Sequence, residues 1–107
     1  MSKYFDSLDL YSFLNYSRDA KLVFKVSNFT NSIRKLQVEI KYSGNQFVGK
    51  PWTCEVAKGL NEFELPLKAF DNDKLRTVDE ICFAVKSSDF VEIEGTFVLK
   101  DFNIVLE

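Results

Sequence analysis

Carboxylates are the side chains with which this chain could perform acid–base chemistry, because the sequence contains no histidine. Without imidazole, the commonest general base, the commonest transition-metal ligand and every triad built on histidine are excluded. Glycosidase chemistry would need two carboxylates in one cleft, and Glu39 and Glu55 are the pair that adjacent strands would bring together. A domain this small offers no deep pocket to raise the pKa of one acid, so we expect no catalytic residue and no enzymatic activity.

Two cysteines, Cys54 and Cys82, lie in separate apolar segments. Free cysteine is among the most buried residue types, which favours two buried thiols. The alternatives are a disulfide between them and a reactive thiol, although no basic residue is placed where it would activate either sulfur.

Size and charge indicate one domain without affinity for polyanions. The 107 residues suit a single core, and we treat 1–107 as one domain. A net charge of −2, with acids and bases interspersed, gives no basic patch for nucleic acid or an anionic membrane. No signal peptide and no membrane-spanning stretch is visible in the sequence. The chain is therefore expected to be either cytosolic or a module of a larger, secreted protein.

Alternation of apolar and polar residues predicts β-strands along almost the whole chain. In the clearest case Leu36, Val38 and Ile40 share one face, and the residues between them are polar. Strand-like segments occur at 21–27, 35–42, 52–57, 59–70, 78–88 and 92–106. Polar turns separate most of them. The pattern predicts an all-β protein, an antiparallel β-sandwich of seven or eight short strands.

Three places in this pattern are irregular. Pro66 cannot donate to a sheet ladder, so it is expected to end the strand that carries Phe63. The alternation slips by one residue across Lys100 and Asp101, which predicts a bulge or kink there. Residues 8–16 fit either a short helix or a strand.

Five short motifs follow one another in a recognisable order between residues 20 and 106. They are Gly59, Leu65-Pro66-Leu67, Phe70, the VDEI of 78–81 and the DFNI of 101–104. This order resembles the galactose-binding-domain-like carbohydrate-binding modules of bacterial plant-polysaccharide hydrolases. The resemblance implies a jelly-roll topology, a polysaccharide or oligosaccharide ligand, an appended catalytic domain in the parent protein and a secreted location.

Two features depart from that family. Leu60 and Asn61 stand where the family usually has a tryptophan after the turn glycine. In addition, the N-terminal strand is expected to be short or missing, which would make this chain smaller than typical members.

Sugar recognition in such modules stacks aromatic faces on sugar rings and hydrogen-bonds the hydroxyl groups with planar polar side chains. The concave face of one sheet would carry both kinds of residue. The resemblance therefore implies a carbohydrate-binding set of three aromatic and four polar residues, namely Trp52, Tyr42, Phe47, Gln37, Glu39, Glu55 and Lys86. For the polar residues the alternative is an ordinary solvated face. For Trp52, which alternates in phase with Cys54, the alternative is the core.

Small or apolar side chains at outward positions favour a groove. Such positions are Cys82, Ala84, Val23, Val98 and Val105. They predict either the floor of a shallow cleft or a surface that a loop or the N-terminal segment covers.

Asp101 occupies the corner position of the family's last strand. The resemblance therefore implies a structural calcium ion there. Asp6 and Asp9 would supplement Asp101 as ligands if the N-terminal segment packs alongside the last strand. The alternative is that Asp101 accepts hydrogen bonds from backbone amides freed by the predicted bulge. Sugar binding itself requires no cofactor.

The resemblance implies a non-catalytic module that binds plant cell-wall polysaccharide of the β-glucan type, such as xyloglucan, glucomannan or mixed-linkage glucan. Its role would be to target an appended enzyme to that polymer. The alternative is a structural or protein-interaction β-sandwich that binds no sugar.

Overall fold

The computed structural model of the chain describes residues 2–30, 32–70, 72–86 and 97–106. Within these ranges the chain forms eight strands, one α-helix and two short 3-10 helices. The elements are β1 (Ser2–Leu8), α1 (Leu10–Tyr16), β2 (Lys21–Asn28), β3 (Arg34–Tyr42), β4 (Gln46–Phe47), β5 (Trp52–Val56), β6 (Gly59–Pro66), the 3-10 helices Leu67–Phe70 and Asp73–Thr77, β7 (Val78–Lys86) and β8 (Phe97–Val105).

The strands form two antiparallel sheets. The five-stranded sheet has the order β1-β7-β3, and both β4 and β5 pair with the remaining edge of β3. β4 lies against Lys41 and Tyr42, and β5 lies against 34–38. The three-stranded sheet has the order β6-β2-β8. The prediction of an all-β antiparallel sandwich is confirmed, whereas the jelly-roll topology stays a prediction.

Aromatic rings join the inner faces of the two sheets. The ring of Phe24 on β2 meets the ring of Phe83 on β7 edge-on, with centroids 4.9 Å apart. Phe83 also meets Phe102 of β8 at 5.9 Å. Side chains that alternate inward from both sheets complete one buried cluster, including Leu22, Val26, Leu36, Val38, Ile40, Ile81 and Val85. The inward faces predicted for 21–27, 35–42 and 78–88 are confirmed over their described residues.

The irregularities predicted around Pro66 and Asp101 are both confirmed. β6 is an edge strand and ends at Pro66, and the next amide, that of Leu67, donates to the carbonyl of Ala20 at 2.9 Å. β8 carries one more residue than β2 between the pairs Val23–Asn103 and Lys25–Lys100. The extra residue is a bulge at Asp101, whose φ of 56° lies in the left-handed region.

The N-terminal segment differs from its prediction. β1 is a seven-residue strand that pairs with β7, so the expectation of a short or missing N-terminal strand is wrong. Residues 10–16 form a helix because the Asp9 carboxylate caps it, accepting from the Ser12 amide at 3.0 Å. Leu10 and Leu14, one helical turn apart, are buried.

The polar stretch after Phe70 also carries more structure than its sequence indicated. Asn72 caps a 3-10 helix over Asp73–Thr77 by accepting from the Lys74 amide at 2.9 Å. Residues 87–88 of one predicted strand and 92–96 of the last one lie outside the described residues.

Candidate functional site

The outer surface of the five-stranded sheet gathers most of the polar residues singled out above. We call it the wide face, and it consists of Lys35, Gln37, Glu39 and Lys41 of β3, Glu80, Cys82, Ala84 and Lys86 of β7, Ser2 and Tyr4 of β1, Phe47 of β4, and Thr53 and Glu55 of β5. Antiparallel register places these residues in rows across the strands, with Gln37 opposite Ala84 and Glu39 opposite Cys82. These side chains point outward because successive residues of a strand lie on opposite faces of the sheet. On β3 the intervening residues Leu36, Val38 and Ile40 are buried in the core.

One hydrogen-bonded chain on the wide face links β7 to β3. The Lys86 ammonium donates to Gln37 Oε1 at 3.1 Å, and Gln37 Nε2 donates to Glu39 Oε1. The small side chain of Ala84, opposite Gln37, leaves space for the Lys86 side chain to reach across. All three polar side chains are half-buried, and they are hydrogen-bonded to one another in the absence of a ligand.

A second cluster surrounds the carboxylate of Glu80. Ser2 Oγ donates to Glu80 Oε2 at 2.7 Å, and Cys82 Sγ lies 2.9 Å from the same oxygen. The Lys41 ammonium lies 4.0 Å from Glu80 Oε1. The hydrogen bonds from Cys82 and Ser2, with a smaller contribution from the Lys41 charge, hold the pKa of Glu80 below its ordinary value. Glu80 is therefore a fixed acceptor at neutral pH.

Exposed aromatic rings stand at the two edges of this face. Phe47 on β4 is 53% exposed, and the Lys41 ammonium lies 5.3 Å from its ring centroid. Tyr4 on β1 is 75% exposed and pairs in register with Glu80. Sequence reasoning missed Tyr4 because it did not predict β1. The signal that would have found it is the position of Tyr4 two residues after Ser2 on one face of a strand.

The residues predicted to bind sugar divide between the two sides of the sheet. Gln37, Glu39, Lys86, Glu55 and Phe47 all lie on the wide face. Glu55 is the outlying member of this group, because it pairs with the Lys35 ammonium at 3.2 Å at one end of the sheet.

Trp52 and Tyr42 lie on the inner side instead. The Trp52 ring meets Phe63 edge-on, with centroids 6.4 Å apart and an interplanar angle of 83°, and packs against the buried cluster. Tyr42 also packs against the cluster, and the Lys74 ammonium lies 5.7 Å from its ring centroid. The structure therefore brings neither ring to the wide face.

The outer surface of the three-stranded sheet has a different character. We call it the narrow face, and it consists of Lys21, Val23 and Lys25 of β2, Leu60, Glu62 and Glu64 of β6, and Val98, Asp101, Asn103 and Val105 of β8. Val23 lies in a shallow depression of about 150 Å³ beside the pair Lys25–Glu62, whose nitrogen and oxygen are 3.6 Å apart. The three outward valines belong to this face, whereas Cys82 and Ala84 belong to the wide face, so they do not form one cleft floor.

The surroundings of Asp101 do not suit a calcium ion. Asp101 Oδ2 lies 3.3 Å from the Lys25 ammonium, which would repel a cation at this position. Asp9 is already engaged as the cap of α1. In the part of the chain that the structure describes, no three acidic, cysteine or histidine side chains come together as a metal site. The Asp101 carboxylate forms an ion pair with Lys25, and the hydrogen bonds from backbone amides stay a prediction.

The two cysteines are free and lie on opposite sides of the five-stranded sheet. Cys54 points toward the core, and burial raises the pKa of its thiol to about 11. Cys82 points outward, and partial burial together with the Glu80 carboxylate raises the pKa of its thiol as well. Neither is an activated nucleophile, and a disulfide between them is excluded.

Comparison of the chain with models of protein families, with curated proteins and with solved structures finds no match. The resemblance to carbohydrate-binding modules stays a prediction. Among the residues described, no helix has the length and apolar character that crossing a membrane requires.

Proposed function

We propose that the protein is a non-catalytic carbohydrate-binding module that binds plant cell-wall polysaccharide of the β-glucan type on the wide face. The observation that carries the proposal is the hydrogen-bonded chain Lys86–Gln37–Glu39. It offers ammonium, amide and carboxylate groups across two strands, and the exposed ring of Phe47 lies on the same face. In a parent protein the module would target an appended enzyme to its polymer outside the cell.

The arrangement favours sugar binding for an energetic reason. A ligand that binds flexible side chains must order them, and each immobilised side chain costs about 0.5–1.5 kcal/mol. Gln37 and Glu39 are already ordered by each other, so this cost is largely met in the free protein. Amide and carboxylate groups also provide both donors and acceptors for hydroxyl groups.

The positions of the carboxylates support binding without chemistry. A glycosidase needs two carboxylates that enclose one glycosidic bond. Glu39 bonds to Gln37 and Glu55 pairs with Lys35, and both lie on the outer surface of a sheet rather than in a pocket. Hydrolysis is therefore not part of the proposal.

Affinity electrophoresis tests the proposal directly. Gels would contain xyloglucan, glucomannan, mixed-linkage β-glucan or xylan, and at least one of the glucans should retard the protein. Gln37→Ala removes the centre of the hydrogen-bonded chain and should weaken binding roughly three- to tenfold. Asn103→Ala, an amide on the narrow face, is the matched control and should bind as the wild type does. The proposal fails if no polysaccharide retards the protein, or if both variants weaken binding equally.

A second candidate function is protein interaction, and exposed apolar residues support it. Leu60 and Val98 face each other across Ser27 at one end of the narrow face, and Phe29 lies just beyond the end of β2. All three large side chains are exposed. Leu60→Ser distinguishes the two functions, because it should leave polysaccharide binding unchanged and abolish association with a protein partner.

A further inference from the structure

One row of side chains crosses the whole wide face at right angles to the strands. Lys41 pairs in register with Phe47 on one side and with Glu80 on the other, and Glu80 pairs with Tyr4. The row therefore contains one residue from each of β4, β3, β7 and β1. Neighbouring strands lie about 4.8 Å apart, so its aromatic ends are separated by roughly 14 Å.

Three members of this row, Phe47, Lys41 and Glu80, contact one another in sequence. The Phe47 ring lies under the Lys41 ammonium, which faces Glu80 Oε1 at 4.0 Å. Glu80 in turn accepts from Ser2, two residues before Tyr4 on the same face of β1. The centre of the row is thus polar and ordered, and its two ends are aromatic and exposed.

Both ends of the row are open. β4 pairs with β3 alone and β1 with β7 alone in the described structure, so Phe47 and Tyr4 stand on sheet edges. The exposure of these two rings, 53% and 75%, shows that no described element covers them. A long molecule laid along the row would continue past β4 on one side and past β1 on the other.

We infer that this row binds an internal segment of a polysaccharide chain, which crosses the strands with one sugar ring stacked on Phe47 and another on Tyr4. The inference rests on the proposed function and adds the direction of the chain, the second aromatic platform and the preference for chain interiors. An end-binding site would need a wall that closes one end of the row. Stacking on each of the two aromatic rings contributes binding free energy, while Lys41 and Glu80 hydrogen-bond the sugar that lies between the rings.

Calorimetric titration with cellobiose, cellotetraose, cellohexaose and mixed-linkage β-glucan tests the inference. Affinity should rise with chain length until both rings are covered, and borohydride reduction of the cellohexaose end should not change it. Tyr4→Ala and Phe47→Ala should each weaken cellohexaose binding roughly three- to tenfold, and Tyr4→Phe should restore it. Tyr16→Ala and Phe29→Ala remove rings that are also exposed but lie elsewhere, and should change nothing.

The outcomes separate the two proposals. If the wild type binds and Gln37→Ala weakens binding while Tyr4→Ala and Phe47→Ala do not, the crossing row is wrong and the proposed function stands. If cellobiose binds as tightly as cellohexaose, or if end reduction abolishes binding, the preference for chain interiors is wrong. If no glucan binds the wild type, both proposals fail.

Discussion

The wide and narrow faces cover the same core with similar residues, yet they hold their charges differently. On the wide face the Glu80 side chain is 16% exposed and shares its oxygens with Ser2, Cys82 and Lys41. On the narrow face the Glu62 side chain is 73% exposed and pairs with the Lys25 ammonium. Both faces alternate lysine with glutamate, so residue type does not explain the difference.

The position of each strand in its sheet does explain it. Glu39 and Glu80 lie on β3 and β7, which have neighbours on both sides. Glu62 and Glu64 lie on β6, an edge strand of a sheet that has only one central strand. A side chain between two strands is packed and hydrogen-bonded laterally, whereas one at an edge is mostly hydrated. Glu55 on the edge strand β5 follows the same rule, since its side chain is 66% exposed.

The largest expected effect comes from the core that both faces share. Phe83→Ala removes a ring that contacts Phe24 and Phe102, and should lower the free energy of unfolding by about 3–5 kcal/mol. Urea unfolding, followed by far-UV circular dichroism and by Trp52 fluorescence, measures it. Two separate transitions, or a loss below about 1 kcal/mol, would show that the sheets do not depend on one core.

Deleting one carboxylate on each face compares how much the two faces contribute to the free energy of unfolding. Glu80→Ala leaves Ser2, Cys82 and Lys41 without their common acceptor and should cost about 1–2 kcal/mol of unfolding free energy. Glu64→Ala breaks the exposed pair with Lys21 and should cost less than about 0.5 kcal/mol. If both variants lost the same free energy of unfolding, the wide face would not hold its carboxylates more firmly than the narrow face does.

Acid titration sharpens the comparison further, because the pKa of Glu80 is lowered in the folded state. The stabilisation that Glu80 provides is complete above the ordinary glutamate pKa and is lost as the pH falls through the lower, folded-state pKa. Ser2→Ala removes one donor and should raise the pKa of Glu80, as measured by carboxyl-carbon NMR. An unchanged pKa in that variant would mean that the Ser2 hydrogen bond does not order Glu80.

The smallest effect concerns the thiols. The pKa of Cys54 is raised to about 11 and that of Cys82 is also raised, so both should react with N-ethylmaleimide more slowly than they do in urea. In a Cys54→Ser background, the adduct on Cys82 would stand at the centre of the wide face and should block glucan binding. Undiminished binding by the modified protein would place the ligand elsewhere.

Local alternation made much of this fold predictable. The alternation of Leu36, Val38 and Ile40 correctly predicted the inner face of β3, and the phase slip at Lys100 correctly predicted the bulge in β8. Each of these features depends on residues that are neighbours along a single strand. β1 and α1 were less predictable. β1 has no fully buried side chain, and its pairing with β7 depends on residues about seventy to eighty positions away.

The candidate site likewise contains features that the sequence could predict and features that depend on which strands pair. Side chains alternate between the two faces of a strand, so the sequence was sufficient to predict that Gln37, Glu39 and Lys86 point away from the core. The grouping of Ser2, Glu80 and Lys41 was not predictable, because it depends on which strands become neighbours. For Trp52 the sequence left two positions possible, because alternation in phase with Cys54 fits both a core residue and a ring at the rim of the sandwich. Its packing on Phe63 in the structure places it on the inner side.

Amide chemical-shift mapping tests the central claim, that the wide face is the binding surface, most directly. Nitrogen-15-labelled protein would be titrated with cellohexaose and the shifts compared between the two faces. We expect the largest changes at the amides of Tyr4, Gln37, Glu39 and Cys82. Largest changes on Val23, Glu64 and Asn103, or no changes anywhere, would contradict it.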